Sequence, residues 1–517
     1  MSTQCVDADP VTKLTAAEKT LVDQINTTWN RDKAITRLKS DLQTAVEIEL
    51  ATIPIYLFTY YSLVRTQKTG NNIRPMDLYA NKAAGTIMSV AVEEMLHMSL
   101  SSNILYSLGQ DPILYMKAPG PYPTGLPYHN PVGPPGPHGQ TDVQIPLSKL
   151  TYDQLWHFLQ IEYPETFDAV PQDRDWDSIG QFYSYIRCLI CSDWITDDDF
   201  KQGNAANQIQ HFNYSPNNID TVYPSGEFDP WKPASPANDP KWAKANDAPT
   251  ASAVAIFPNA EDSFAASIGD IEATPLISVS SKIQAMIAID TICDQGEGFA
   301  PAGGEDGQTD DQSGEEESHY FKFLTLQAQF EQYAFHVEKL AQFPQPPAQV
   351  QPTITQDDLN PFLVNFPDNP KTAEYTDENQ AILSDFCNGL FSYMFIMTET
   401  MYKLPPDSKI QRKFFNEGLH RSMIWVLDKL ILNMRGMQLD NGANPPQFLA
   451  PTFENFDLGP RDQAFGTLVR LGEKVMNAFG QDSYTASIVK TAICAADTTP
   501  DGKVHSMHLP DVSAYWQ

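Results

Sequence analysis

VAVEEMLHMSL, residues 90–100, sets two glutamates and a histidine inside an otherwise apolar run. Helical periodicity extends this run from about Leu78 to Leu108, with Gly109 and then Pro112 as stop signals. Ile87, Val90, Glu94, His97, Ser101, Ile104 and Leu108 share one face, and Val92, Met95, Leu96 and Met98 make the remainder apolar too. A helix apolar nearly all round is buried, and polar groups on it are costly unless partnered. Residues three apart face the same way, so Glu94 and His97 can offer an oxygen and a nitrogen to one metal ion. The alternative is a buried pair of side chains bonded to each other.

Upstream, residues 14–40 read as a short helical entry, and DLQTAVEIELATIPIYLFTYYSLVRT (41–66) opens the first long helix. Its inward stripe runs through Leu42, Val46, Glu49, Ile53, Tyr56 and Tyr60. Glu47 lies about 200° away on the other side. Pro54 removes a backbone donor and crowds the carbonyl of Leu50, which predicts a kink beside Glu49.

Downstream, Lys117 to Gln140 is too dense in proline for a regular element, and His129 and His138 read as solvated loop residues. Two shorter helical stretches follow, LTYDQLWHFLQIEYPE (150–165) and SIGQFYSYIRCLICSDW (178–194), before a long acidic excursion over residues 196–278. Cys188 and Cys191 in the second stretch read as two buried thiols on a helix in preference to a redox or zinc site. In SSKIQAMIAIDTICDQGEGF (280–299), Ile283, Ile287, Asp290, Asp294 and Glu297 fall on one face. EEESHYFKFLTLQAQF (315–330) then starts a helix carrying Glu316, His319 and Phe323 on one side, although acids in a first turn also suit the helix dipole.

Two Glu-x-x-His pairs therefore stand far apart, Glu94 with His97 and Glu316 with His319. A dinuclear carboxylate site in a four-helix bundle adds one carboxylate from each of two further helices. Glu49 and an acid of the CDQGEG segment supply them in the right chain order. A third pair, Glu417 with His420, lies in the C-terminal helices, where Glu399 could join it as a rival metal position. Tyr56, Tyr60 and Met98 are candidates to line a pocket, though such residues are more often plain core. A carboxylate-rich set with two histidines suits iron or manganese better than zinc or copper.

ELATIPIYL, EEMLHM followed by NILYSLGQDP, QFYSYI, and QGEGF followed by SHYFKF together resemble the ferritin-like domain of the iminophenyl-pyruvate dimer synthase family, found in violacein and indolocarbazole pathways. The resemblance spans roughly residues 35–335. It implies an all-α, ferritin-like four-helix bundle with long irregular insertions and additional C-terminal helices. It also implies a metal-dependent oxidoreductase that couples imines derived from aromatic amino acids in secondary metabolism. Residue by residue it favours Glu49 over Glu47 and Glu94 over Glu93, and points to His97, Glu297 and His319; the Glu-x-x-His spacing, not the resemblance, adds Glu316 as a further metal ligand. Gln181 stands where related sequences tend to carry an acid, and Asp294 competes with Glu297, which is flanked by Gly296 and Gly298. The expected cofactor is a di-iron centre, with manganese as the other option, and the expected partners are O₂ and a small-molecule substrate. The competing reading is a non-catalytic helical protein that binds a ligand or partner.

The 517 residues divide in this reading into a metal-binding domain over 1–340 and a helical region over 341–517 packed on it. That region holds two strong helices, a weaker one in GTLVRLGEKVMNAF, and an irregular tail. A formal charge of −31 argues against nucleic acid as a partner. Six cysteines are too sparse for a disulfide scaffold. The polar, acidic N-terminus does not look like a secretory signal, and the absence of a long uninterrupted apolar stretch argues against a membrane span, which leaves a cytoplasmic protein as the expectation.

Overall fold

The side chain of Asn30 accepts from the backbone N–H of Lys33 at 2.9 Å, and this cap starts the longest apolar helix of the N-terminal half. The fold is that of a computed structural model, which describes residues 14–65, 75–130, 144–165, 169–210, 276–297, 318–331, 354–415, 418–419, 422–494 and 509–517. A first helix, α1 (Ala16–Thr28), precedes α2 (Arg31–Ser62), so the long helix begins ten residues before the expected start at Asp41. Trp29 and Asn30 are the only break, and Ala34 and Leu38 carry the buried stripe back to it. α2 runs on through Pro54.

Four helices make the bundle. α2 lies against α3 (Pro75–Ser107), and α5 (Ile179–Cys191) lies against α6 (Lys282–Glu297), while α2 also meets α5 and α3 meets α6. α4 (Tyr152–Ile161) and α7 (His319–Gln327) pack on each other, and α7 leans on α3 and α6. Among the described residues, strand pairing is confined to isolated bridges such as Leu63 with Leu363. From Ala83 onward α3 is buried nearly all round, leaving Thr86, Val92, Leu96 and Tyr106 half-buried, as its composition requires.

On α6 the expected stripe faces the wrong way. Ile283 is exposed and Asp290 and Asp294 are half-buried, whereas Ala285, Met286, Ala288, Ile289, Ile292 and Cys293 fill the core. With apolar residues on every side, periodicity chooses the face poorly, and Asp290 sits 3.8 Å from the buried guanidinium of Arg187. Cys188 and Cys191 are buried free thiols, the first against the carbonyl of Glu18 and the second against Met286.

The C-terminal half contains α8 (Glu378–Met401), α9 (Ser408–Phe415), α10 (Asp428–Met434), α11 (Ala464–Phe479) and α12 (Tyr484–Ile493). α12 falls in the expected irregular tail. Its signals are the Ser483 cap and the buried Ile488, Val489 and Ala492 that seat it on α11. α8 is long and apolar enough to cross a membrane, but it is packed inside the protein, and its Glu399 pairs with Arg461 and accepts the backbone N–H groups of Leu114 and Tyr115 at 2.8 Å each. That engagement removes Glu399 from the rival metal position; Glu417 and His420 lie outside the described residues.

Two predictions arise from packing. A Cβ on Gly203 would fall 2.1 Å from the carbonyl oxygen of Tyr106, a backbone atom that cannot step aside cheaply. Gly203→Ala is expected to lower stability by about 1–3 kcal/mol in denaturant unfolding. Asp428, on α10, is fully buried, and burial raises its carboxyl to about 7 against the pull of Arg65, Arg435 and Lys429, with Tyr60 and Tyr61 nearby. A carboxyl raised by folding favours its protonated form in the folded state, so stability should fall as pH climbs from about 4 to about 7. Asp428→Asn should flatten that slope in unfolding curves taken across the same range.

Candidate metal centre

Five side chains from four places in the chain meet in the buried interior beside α2 and α3. Glu49 on α2, Glu94 and His97 on α3, Glu162 just past the end of α4, and His319 at the first position of α7 are each at most 3% exposed. Oε1 of Glu94 is 3.0 Å from Nδ1 of His319 and 4.0 Å from Nδ1 of His97. Oε2 of Glu49 is 3.7 Å from Nδ1 of His97, and Oε2 of Glu162 is 3.5 Å from Nδ1 of His319. The two imidazoles are stacked with centroids 5.3 Å apart.

Each carboxylate has one oxygen held from outside. Tyr183 donates to Oε1 of Glu49, Thr52 donates to Oε2 of Glu94 at 2.9 Å, and Tyr56 donates to Oε1 of Glu162. The second oxygen of each faces the histidines. Each histidine is likewise held by its Nε2, which meets Oε1 of Gln295 at 3.1 Å for His97 and Oε2 of Glu93 at 2.7 Å for His319. Glu93 is bound in turn by Lys322 at 2.8 Å and Ser89 at 2.7 Å. An imidazole that donates from Nε2 presents the Nδ1 lone pair, so both rings turn a metal-binding nitrogen toward the three free carboxylate oxygens. Nδ1 of His319 is buried and, although close to Glu94, makes no aligned hydrogen bond. The rings of Tyr56, Phe158 and Phe323, with centroids 4.8–5.3 Å apart, form a dry wall beside Glu162.

The electrostatics describe a cluster short of positive charge. Burial, and then the neighbouring Glu94, raise Glu49 well above the usual carboxylate range, and the same two causes raise Glu162. Burial also lowers His97 to about 4. For His319 burial works against the imidazolium, but Glu162, Glu93 and Glu94 outweigh it and raise the group well above its ordinary value. Burial would likewise raise Glu93, yet Lys322 and His319 prevail and hold it ionised. Protons held in this way mark the position where a cation would displace them. The donor set, three carboxylates and two imidazoles on rigid elements with outer partners in place, fits a hard or borderline divalent ion.

The structure brings together Glu49, Glu94, His97 and His319 of the residues singled out in the sequence. Glu316 lies outside the described residues, and Glu297 closes α6 with a side chain that is likewise outside them. From the CDQGEG segment Gln295 reaches His97, while Gly296 sits close enough to Glu162 that a Cβ there would be 3.6 Å from Oε2. Glu162 was missed. It continues the buried Leu155, Phe158 and Leu159 pattern of α4 at helical spacing, the same signal that marks Glu49. Glu93, set aside in favour of Glu94, is buried behind His319, and Glu47 stays at the surface side with Lys117 at 2.9 Å. Gln181 caps α5 and takes no part. Tyr60 belongs elsewhere, against Tyr61 and Arg65. His129 is no solvated loop residue, because its ring stacks on Trp176 at 4.5 Å; His138 lies outside the described residues.

A family model described as ferritin-like matches residues 42–227, a window that contains Glu49, Glu94, His97 and Glu162. The bundle is ferritin-like. Among solved structures, a ferritin-like protein from Caulobacter vibrioides is similar, with 18% identity, 76% of this chain and 96% of that chain covered, and a TM-score of 0.36. No curated protein matches. This ferritin-like bundle is compatible with a di-metal protein, and Glu94, His97 and His319 each offer a ligand atom within 4.8 Å of the others.

Proposed function

We propose that the chain is a non-haem dinuclear metal oxidase or oxygenase, with iron the favoured metal and manganese the alternative, acting on a small aromatic or amino-acid-derived metabolite. Oxidative imine coupling, as in the iminophenyl-pyruvate dimer synthases, is the reaction to which the resemblance leads. The observation that carries the reading is the orientation of the ligand atoms: three buried carboxylates and two imidazoles each have their outer atom tied and their inner atom directed at one another. A bound iron pair supplies reductive activation of O₂. Glu49, Glu94, Glu162, His97 and His319 would hold it, Tyr183, Thr52 and Tyr56 orient the carboxylates, and Tyr56, Phe158 and Phe323 keep water from that side. The net charge of −31 fits a small-molecule enzyme working in the cytoplasm better than a nucleic-acid protein.

The test is metal content and oxygen uptake. Protein purified without chelator should carry more than one equivalent of iron or manganese, and metal-dependent O₂ consumption should appear with a reductant and an aromatic amino-acid-derived imine. Less than one equivalent, with no uptake after reconstitution, would sink the reading. One observation favours the non-catalytic alternative. At 3.0 Å from Glu94 and 2.7 Å from Glu93, a protonated His319 can itself serve as the cluster's cation, in which case the purified protein holds no metal.

A further inference from the structure

We propose, resting on the dinuclear reading, that the centre comprises two positions of unequal affinity: His319 with Glu162 takes the first ion, His97 with Glu49 the second, and Glu94 stands between them. The distances divide the ligands this way. His319 has Glu94 at 3.0 Å and Glu162 at 3.5 Å, whereas His97 has Glu49 at 3.7 Å and Glu94 only at 4.0 Å.

The stronger asymmetry lies behind the rings. Nε2 of His319 meets a carboxylate, Glu93, while Nε2 of His97 meets a neutral amide, Gln295. A carboxylate behind an imidazole increases electron density at the other nitrogen and fixes the ring, and an amide does so less. Glu93 is held in place by Lys322, with Nζ 3.1 and 2.8 Å from its two oxygens, and by Ser89. Lys322 follows His319 by three residues on α7, so the same helix carries the ligand and the charge that anchors its backing group. Glu93 and Lys322 are thus positioning residues for one half of the centre only. Gln295 has the corresponding task at the other half, where α6 passes His97.

The full-length, metal-free protein would be titrated with Mn(II), and free aquo-Mn(II) followed by electron paramagnetic resonance. Wild type should take up one ion at least about 10-fold more tightly than the second, and a spin-coupled signal should grow only with the second. Glu93→Gln should weaken the first step by about 10–100-fold and leave the second nearly unchanged. Gln295→Glu should do the reverse, tightening the second step toward the first, and decides the matter alone if Glu93→Gln does not fold by circular dichroism. Two equal steps in wild type, or a Gln295→Glu protein in which only the first step moves, overturn the ordering while leaving the dinuclear reading intact. Uptake of no Mn(II) by folded wild type overturns the reading of the site along with it.

Discussion

Glu94→Ala is expected to abolish tight metal binding, with purified protein at or near zero equivalents by elemental analysis and no metal-dependent oxygen uptake. Glu94 is the side chain that both histidines share, at 3.0 and 4.0 Å, so its loss strips an oxygen from each half of the centre. Changing an outer partner of a metal ligand costs about 10–100-fold in affinity, and removing the shared ligand should cost more than that. The fold should persist. The charge of Glu94 helps push Glu49 and Glu162 up, so deleting it relieves both carboxylates and offsets the loss of its own pairing with His319 and His97. A Glu94→Ala protein that keeps a full complement of metal would remove Glu94 from the ligand set.

The second large effect is expected from Arg187→Met, at about 3–5 kcal/mol of lost stability in denaturant unfolding. Arg187 on α5 is fully buried, bonds Oε1 of Glu18 at 3.0 Å and approaches Asp290 of α6 at 3.8 Å. It therefore joins α1, α5 and α6 through one guanidinium. Removing it leaves a buried carboxylate on α1 without its counter-charge, and that uncompensated charge is the larger part of the penalty. Adding Glu18→Gln to Arg187→Met should recover part of the loss, a coupling that a double-mutant cycle reads directly. Strictly additive losses would show that the pair is not the source.

Much of the arrangement is legible in the residues themselves, because burial can be read from periodicity wherever a helix has a polar side. Glu49 stands out on a stripe whose opposite face carries Glu47, and Glu94 with His97 stand out as a metal-binding pair of residue types at helical spacing within an apolar run. The same approach fails on helices without a polar side. α3 buries Glu93 as well as Glu94, so adjacency along the chain hides that one faces His319 from behind and the other from the front. α6 hides its orientation in the same way, and among its described side chains Gln295 is the one that reaches His97. Glu162 escaped for a different reason: it carries the buried-stripe signal of Leu155, Phe158 and Leu159, but no histidine stands three residues on to make a Glu-x-x-His pair of it. Its role depends on α4 meeting α7 and on the Tyr56 hydroxyl from α2, contacts between segments separated by more than a hundred residues.

The three hydroxyls on the carboxylates have a thermodynamic consequence. Tyr183, Thr52 and Tyr56 restrict the rotation of Glu49, Glu94 and Glu162 once the helices have packed, so the ordering entropy of the ligands is charged to folding and not to ion capture. An ion arriving at such a site has little left to organise. Its binding free energy then appears as added resistance to unfolding, since the unfolded chain offers no such assembled ligand set, and the melting temperature should climb with the logarithm of free metal concentration above the dissociation constant. Thr52→Val, which removes one of the three restraints and leaves a buried oxygen of Glu94 without its donor, should lower the metal-free melting temperature and make that climb start at a higher concentration.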